Sequence, residues 1–444
     1  MTRQIRLPYG HESRTIAVPE ENLAWVEGPK DAPPVADLRE AVRSAIRNPI
    51  GSPPLGELVL RHGKRTLILV DDGTRSTPQA LILPILLDEI NAAGVDDGDI
   101  SIVVALGTHR RMNRDELMAR VGAAVCNRVP VGNLSQKPGD FVNLGVSPLG
   151  IPIHVSRQYL ESEISIAVGN IIPHMYAGWA GGAKMVQPGV TSAVTTGRTH
   201  LIAGPRVYEI LGQVDNPVRA EMEEIAFRSG LKFIVNVVLG ASGQVAAVVA
   251  GDVVKAHRAG IEVARPIYTM ELEERPDIVV ASSHPADRDL WQGFKPVNNC
   301  GMVVKDGGTL ILLIPAPEGI APDHTQLVDF GTASAEEVLA LVAQGKVADE
   351  VAAATYLAFE RTRRRVNIVL VSDGVSGTEA AKIGISATTS FPEALSAAFE
   401  RHGQSARVGV VTQGADIMAR FVSTPVTERP TGVSWEPISS GLSS

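Results

Sequence analysis

Three of the chain's ten histidines, His109, His174 and His200, fall in short segments rich in glycine and threonine that also hold Arg75 and Lys184. Imidazole titrates near neutral pH and also ligates transition metals. A guanidinium grips a carboxylate through two parallel hydrogen bonds. A lysine in a glycine-rich turn is a possible covalent anchor for a cofactor. Together these types point to cofactor-assisted acid–base chemistry on a small carboxylate. Each residue also has a plain structural role open to it. A lone histidine after a strand often serves only a hydrogen bond, Asp72 and Thr77 can cap the following helix, and Arg75 and Lys184 can be surface charges. His11, His62, His257 and His402 sit among polar residues and are given no role, while His154, His284 and His324 stay undecided.

The familiar motif classes fail on spacing. Counted from Gly178, a phosphate-binding loop needs glycine where Ala183 stands and a hydroxyl residue where Met185 stands. There is no Gly-x-Gly-x-x-Gly between a strand and a helix, no His-Glu-x-x-His, and no Gly-x-Ser-x-Gly. Two cysteines, Cys126 and Cys300, are too few for a disulfide framework or a cysteine-built metal site.

The elements that must position these residues are short apolar runs. They lie near 66–70, 100–106, 164–168, 277–281, 309–314, 366–371 and 407–412. They lack alternation, as strands buried on both faces do, and helical patterns separate them. The expected fold is therefore α/β, two domains with mostly parallel sheets and an active-site cleft between them. Ligands in such sheets collect beyond the carboxyl ends of the strands, where 71–78, 107–110 and 169–184 stand. Thr77 reads as an N-cap ahead of Pro78, and Pro84 as a kink or break in the helix that ends near Gly94. Residues 233–239 and 244–249 read as a hairpin. The boundary is placed at the charged stretch before Asp277. That gives an N-terminal cofactor and catalytic domain over 1–272, with 405–425 as the candidate segment to complete it, a C-terminal domain over 273–404, and a flexible tail over 426–444.

The 444 residues are 44% apolar and 20% charged, enough for a sizeable core. A formal charge of −8 leaves no basic footprint for nucleic acid. The first residues have no apolar stretch of the kind a signal peptide needs, and no run approaches the ~18 residues of a membrane span. A cytoplasmic location without membrane or nucleic-acid partners is expected.

Taken in order, residues 7–10 (LPYG), 71–78 (DDGTRSTP), 107–109 (GTH), 173–184 (PHMYAGWAGGAK), 196–200 (TGRTH) and 289–295 (DLWQGFK) resemble the nickel-pincer-nucleotide lactate racemases and their 2-hydroxyacid racemase and epimerase relatives. The likeness runs along nearly the whole chain. It implies that Lys184 carries the nickel-pincer nucleotide through a thioamide, and that His200 ligates nickel beside the cofactor's own sulfur and carbon donors. It implies that Asp72, Gly73, Thr74 and Arg75 contact the cofactor, and that His109 and His174 are the acid–base pair. Arg75, Gln292 and Lys295 would hold the substrate. The reaction implied is inversion at C2 of a 2-hydroxycarboxylate by reversible hydride transfer, through a 2-oxo acid, with cofactor-biosynthesis proteins as partners. Lactate, malate, longer hydroxy acids and sugar acids all stay open as substrates. A pyridoxal-phosphate racemase using Lys184 would leave His200 without a purpose. A non-catalytic small-carboxylate binding protein would be expected to have lost a matched position, and none is substituted.

Overall fold

The computed structural model describes residues 1–422. Two six-stranded sheets form the frame. In the first, the order is Val245–Gly251, Phe233–Leu239, Ile164–Asn170, Thr66–Val70, Ile100–Val104, Val131–Asn133. All neighbours are parallel except the first two, which make the expected hairpin. The chain travels outward from Thr66–Val70 through 100–104 to 131–133, then returns to the other side of Thr66–Val70. The order thus reverses beside that strand, and the crevice at its carboxyl end receives residues 71–78 and 171–184.

The second sheet runs Ser386–Thr388, Asn367–Val371, Thr309–Leu313, Ile278–Ser282, Val408–Val411, Leu23–Glu27 and is parallel throughout. Its order reverses next to Ile278–Ser282. The helix Leu290–Gly301 starts just beyond that strand, capped by Asp289. Both sheets are fully buried at their centres: every residue of Thr66–Val70, Ile164–Asn170, Ile278–Ser282 and Thr309–Leu313 is enclosed. This matches the unbroken apolar runs of the sequence.

The chain ends differ from expectation. The segment 405–425 does not complete the first sheet. Val408–Val411 pairs with Ile278–Ser282 on one side and Leu23–Glu27 on the other, so the beginning of the chain crosses to the second sheet instead. The hairpin Thr2–Tyr9/Glu12–Pro19 follows it, burying Ile5, Leu7, Ile16 and Val18 against Ile278, Val280, Ile311 and Val369. Met418–Phe421 then pairs with Thr269–Leu272 outside both sheets. The expected tail at 426–444 lies outside the described residues.

Local signals fare unevenly. Asn113 makes the full capping box with Glu116, and Asn216 caps Pro217–Arg228. Pro84 neither splits nor ends its helix, which runs unbroken over Gln79–Ala92. Thr77 is not the N-cap; its hydroxyl donates to Asp71, which also takes Gln79 and Arg120. Among the described residues no helix is long and apolar enough to cross a membrane.

Candidate active site

Nine of the ten residues singled out line one cavity in the cleft between the sheets: Asp72, Thr74, Arg75, His109, His174, Lys184, His200, Gln292 and Lys295. Gly73 is the exception. It is exposed and faces two neighbouring clefts, and its part in the turn is backbone alone.

Asp72 anchors the first wall. Its Oδ1 accepts from the Thr74 backbone at 2.9 Å and the Thr74 hydroxyl at 2.5 Å, while Oδ2 lies 2.5 Å from His109 Nδ1. Burial alone would raise the Asp72 pKa, but His109, Arg75 and Thr74 outweigh it and hold the carboxyl well below its usual range. The carboxylate is therefore ionised and takes the His109 Nδ1 proton, which leaves Nε2 with a free lone pair. Burial lowers the His109 pKa, Asp72 opposes this, and Lys295 and Arg75 add to it, so the imidazole is neutral at pH 7.

His174 sits in a two-residue ladder, Pro173–His174 against Gly178–Trp179. Its Nδ1 accepts the Tyr176 backbone N–H at 3.2 Å, which assigns the neutral ring's proton to Nε2. Burial, then Lys184, Arg75 and Lys295, push its pKa well down. Lys184 belongs to the 3-10 turn Gly182–Met185. Burial, then Arg75, Lys295 and Arg219, press it far below the usual lysine range, with Asp72 the opposing charge. His200, on the helix Ala193–Ala203, is lowered to about 3, chiefly by burial and then by Lys184. Its ring leans on Tyr176 at 4.6 Å between centroids.

The second sheet contributes the opposite wall. Gln292 N–H donates to Asp289, and Lys295, one helical turn on, donates to Gln292 Oε1 at 2.6 Å. Asp416 acts electrostatically on Lys295 and Arg75 from the C-terminal segment.

Three supports of this site were not legible beforehand. Arg219 is fully enclosed with no carboxylate bonded to it among the described residues, and it donates to the carbonyls of Ala177, Trp179 and Gly181, clamping the glycine-rich loop. Asn236 accepts the Gly182 N–H at 2.9 Å. Tyr176 bridges to the other half through Thr355 at 3.2 Å. An arginine on the inward stripe of Pro217–Arg228 was the one available signal for the first. Gly178 is required by geometry: φ is +75°, and a Cβ there would lie 1.9 Å from the Gln213 carbonyl oxygen.

Models of two protein families match the chain, the lactate racemase N-terminal domain over residues 9–206 and the lactate racemase C-terminal domain over 272–419. The lactate racemase of Thermoanaerobacterium thermosaccharolyticum is 30% identical over 325 residues, covering 71% of this chain and 75% of that protein. The lactate racemase of Lactiplantibacillus plantarum is 28% identical over 433 residues, covering 94% and 99%. The solved lactate racemase apoprotein from T. thermosaccharolyticum superimposes with a TM-score of 0.82 at 24% identity, over 94% of this chain and all of that one. A Thermotoga maritima protein superimposes with a TM-score of 0.68 at 18% identity, over 88% of this chain and 99% of that one. With both family models in register and a relative of that identity and coverage, the chain belongs to the lactate racemase family.

Proposed function

We propose that the chain is an isomerase that inverts C2 of a 2-hydroxy acid, a racemase or epimerase working on a nickel-pincer nucleotide attached at Lys184. The observation that carries this reading is that four nitrogen bases around one cavity, His109, His174, Lys184 and His200, are all pressed toward their neutral forms. A neutral amine is what acylation or thioacylation requires, and attachment removes the charge that Arg75 and Lys295 disfavour. A neutral imidazole at His200 has a lone pair for a metal. Among the described residues no three His, Cys, Asp or Glu side chains are grouped to hold a metal ion, so a metal held by His200 would need further donors from the nucleotide. The residues present therefore fit the group, with Asp72, Thr74 and Arg75 as its other contacts. When bound, the group supplies a reversible hydride acceptor at its pyridinium ring.

The chain's own residues handle binding and protons. Arg75 and Lys295 present cationic or donor groups for the substrate carboxylate, with Gln292 fixing the Lys295 head. His109 Nε2 takes the C2 hydroxyl proton, oriented by Asp72. His174 presents Nε2–H to the substrate oxygen, holding the 2-oxo acid formed when C2 loses hydride. His109 serves the hydroxyl of one enantiomer; for the other, His174 would take the hydroxyl proton at Nε2 in the tautomer that carries its own proton on Nδ1, so inversion needs both. The half of the chain ending near residue 272 carries the group, and the half from 273 onward closes Gln292 and Lys295 over the substrate.

The test is intact-protein mass with nickel content after co-expression with the cofactor-making enzymes. A covalent adduct with one nickel, absent in Lys184→Ala, supports the reading. An unmodified, nickel-free chain beside a properly loaded lactate racemase control would sink it.

A further inference from the structure

The two halves of the chain meet on two flanks of the cavity, and the flanks are built differently. On one, the helix Ala193–Ala203, which carries His200, packs on the helix Glu350–Arg365. Thr196 and His200 of the first and Val351 and Thr355 of the second line the cavity. Glycines bring the backbones together: a Cβ at Gly197 would lie 2.7 Å from Glu350 Cβ, and one at Gly204 2.5 Å from the Ala354 carbonyl oxygen. Tyr208 and Thr362 share a hydrogen bond of 2.8 Å, and Arg361 pairs with Glu209 at 2.7 Å. A seam this close has no slack.

The other flank is held by charge. Arg110, next to His109, lays its guanidinium side-on against Glu318 of the second half, Nη2 to Oε1 at 3.2 Å and Nε to Oε2 at 3.4 Å. Arg288 Nε meets the same Oε2 at 3.2 Å. Both ends of this bridge are pinned. Gln136 donates to the carbonyls of Gly107 and His109 at 3.0 and 2.9 Å, Asn133 brackets Met112, and Glu116 accepts from both Nη atoms of Arg110 at 2.7 and 2.9 Å. On the far side the Glu318 N–H donates to the Arg288 carbonyl at 3.0 Å, and those of Leu290 and Trp291 donate to Gly319 and Ile320 at 2.9 and 2.7 Å. A shift of Arg110 is therefore a shift of His109. A shift of Glu318 is one of the helix Leu290–Gly301, with Gln292 and Lys295. Beside the bridge, His109, Arg288, Trp291 and Gln292 wall one small void, so the two walls face each other there.

The strength of the bridge suits a bond that opens. The side chains of Arg110, Glu318 and Arg288 are 29%, 32% and 28% exposed, so water and salt screen them. The seam has no such weakness. His174, His200 and Gln292 are buried, and parting of the walls at the bridge would uncover them.

We propose that Glu318 is a positioning residue of the reaction. Joining Arg110 to Arg288, it holds the His109 wall against the Gln292 and Lys295 wall at the spacing turnover uses, and its release opens this flank while the seam stays shut. The proposal rests on the racemase or epimerase reading for the part His109 plays.

The test compares wild type, Glu318→Gln, Arg110→Gln and the double variant. The loaded enzymes are assayed on lactate, malate and gluconate, and the unloaded chains are followed by amide hydrogen exchange. In Glu318→Gln, KM should rise about three- to tenfold with kcat within about twofold, because a less populated closed state taxes binding and the saturated complex is unchanged. The double variant should be no worse than Arg110→Gln, since both changes remove the same bond. Raising KCl to about 0.5 M should bring the wild-type KM toward that of Glu318→Gln. Exchange over 107–113 and 287–292 should quicken in Glu318→Gln, and exchange over 193–203 and 350–365 should not. A merely structural role would lower the unfolding temperature and kcat without this split. Unchanged KM in Glu318→Gln, whatever its exchange, or additive effects in the double variant, overturns the positioning role and leaves the racemase reading standing. The expected exchange pattern in a chain that, once loaded, inverts none of these acids overturns the racemase reading and leaves the bridge as what holds the walls.

Discussion

Asp72 and His109 illustrate how a side chain two bonds away from the reaction sets its pH range. Burial, Lys295 and Arg75 all lower the His109 pKa, and Asp72 alone raises it. Removing the carboxylate in Asp72→Asn therefore moves the imidazole further down. The base stays unprotonated to lower pH, so the acid limb of kcat/KM should shift to lower pH while turnover falls about a hundredfold. A merely structural role would lower activity without moving the limb. His109, His174 and Lys184 were identifiable because they stand in segments that follow apolar runs read as strands, whereas His200 lies within the helix Ala193–Ala203 and was picked out by the resemblance of residues 196–200. Arg219 and Asn236 were not: both act on backbone carbonyls or N–H groups of a distant loop, and no local pattern encodes that partner.

At the scale of elements, the glycine-rich loop 173–184 carries His174 and Lys184 into the cavity without a regular element of its own beyond a two-residue ladder and one 3-10 turn. Its shape is imposed from beneath by Arg219 and from the backbone by Gly178. Arg219→Met removes a donor from three enclosed carbonyls; those of Ala177 and Gly181 keep Asn216 Nδ2 and the Lys184 N–H, while loss of the Trp179 partner costs about 1–3 kcal/mol. Gly178→Ala adds a clash with Gln213 at a left-handed backbone position. Both variants should unfold at lower temperature by calorimetry and take up less nickel after co-expression, even though neither residue touches nickel in the proposed site. Normal loading in either would show that the loop holds its shape unaided. The strands themselves were legible, since runs enclosed on both faces stand out by composition. Their assignment to sheets was not. Val408–Val411 has the same apolar character as Thr66–Val70, and pairing is decided by contacts more than a hundred residues away.

For the whole molecule, the cluster that makes the cavity reactive also taxes the fold. Lys184 and Lys295 both have pKa values pushed down, by burial first and then by Arg75. In the unfolded chain each returns toward the ordinary value of about 10.4. Between pH 7 and 9 the unfolded state therefore binds more protons than the native state, and stability rises with pH wherever that holds. The histidines, lowered as well, finish their contribution below their unfolded pKa of about 6.5, so the lysines dominate this window, opposed near its upper end by the Cys300 thiol, which burial pushes up. The unloaded protein should accordingly gain thermal stability from pH 7 to 9, the reverse of what deprotonating a surface lysine's salt bridge would give. Lys295→Met and Lys184→Met should each flatten that slope and raise stability at pH 7, while abolishing turnover. Attachment at Lys184 removes the same amine chemically, so the loaded protein should show the Lys184→Met slope. A pH-independent unfolding temperature in the unloaded chain would mean that the two ammonium groups stay charged in the folded cavity, and Lys184 would then lack the neutral amine that attachment needs.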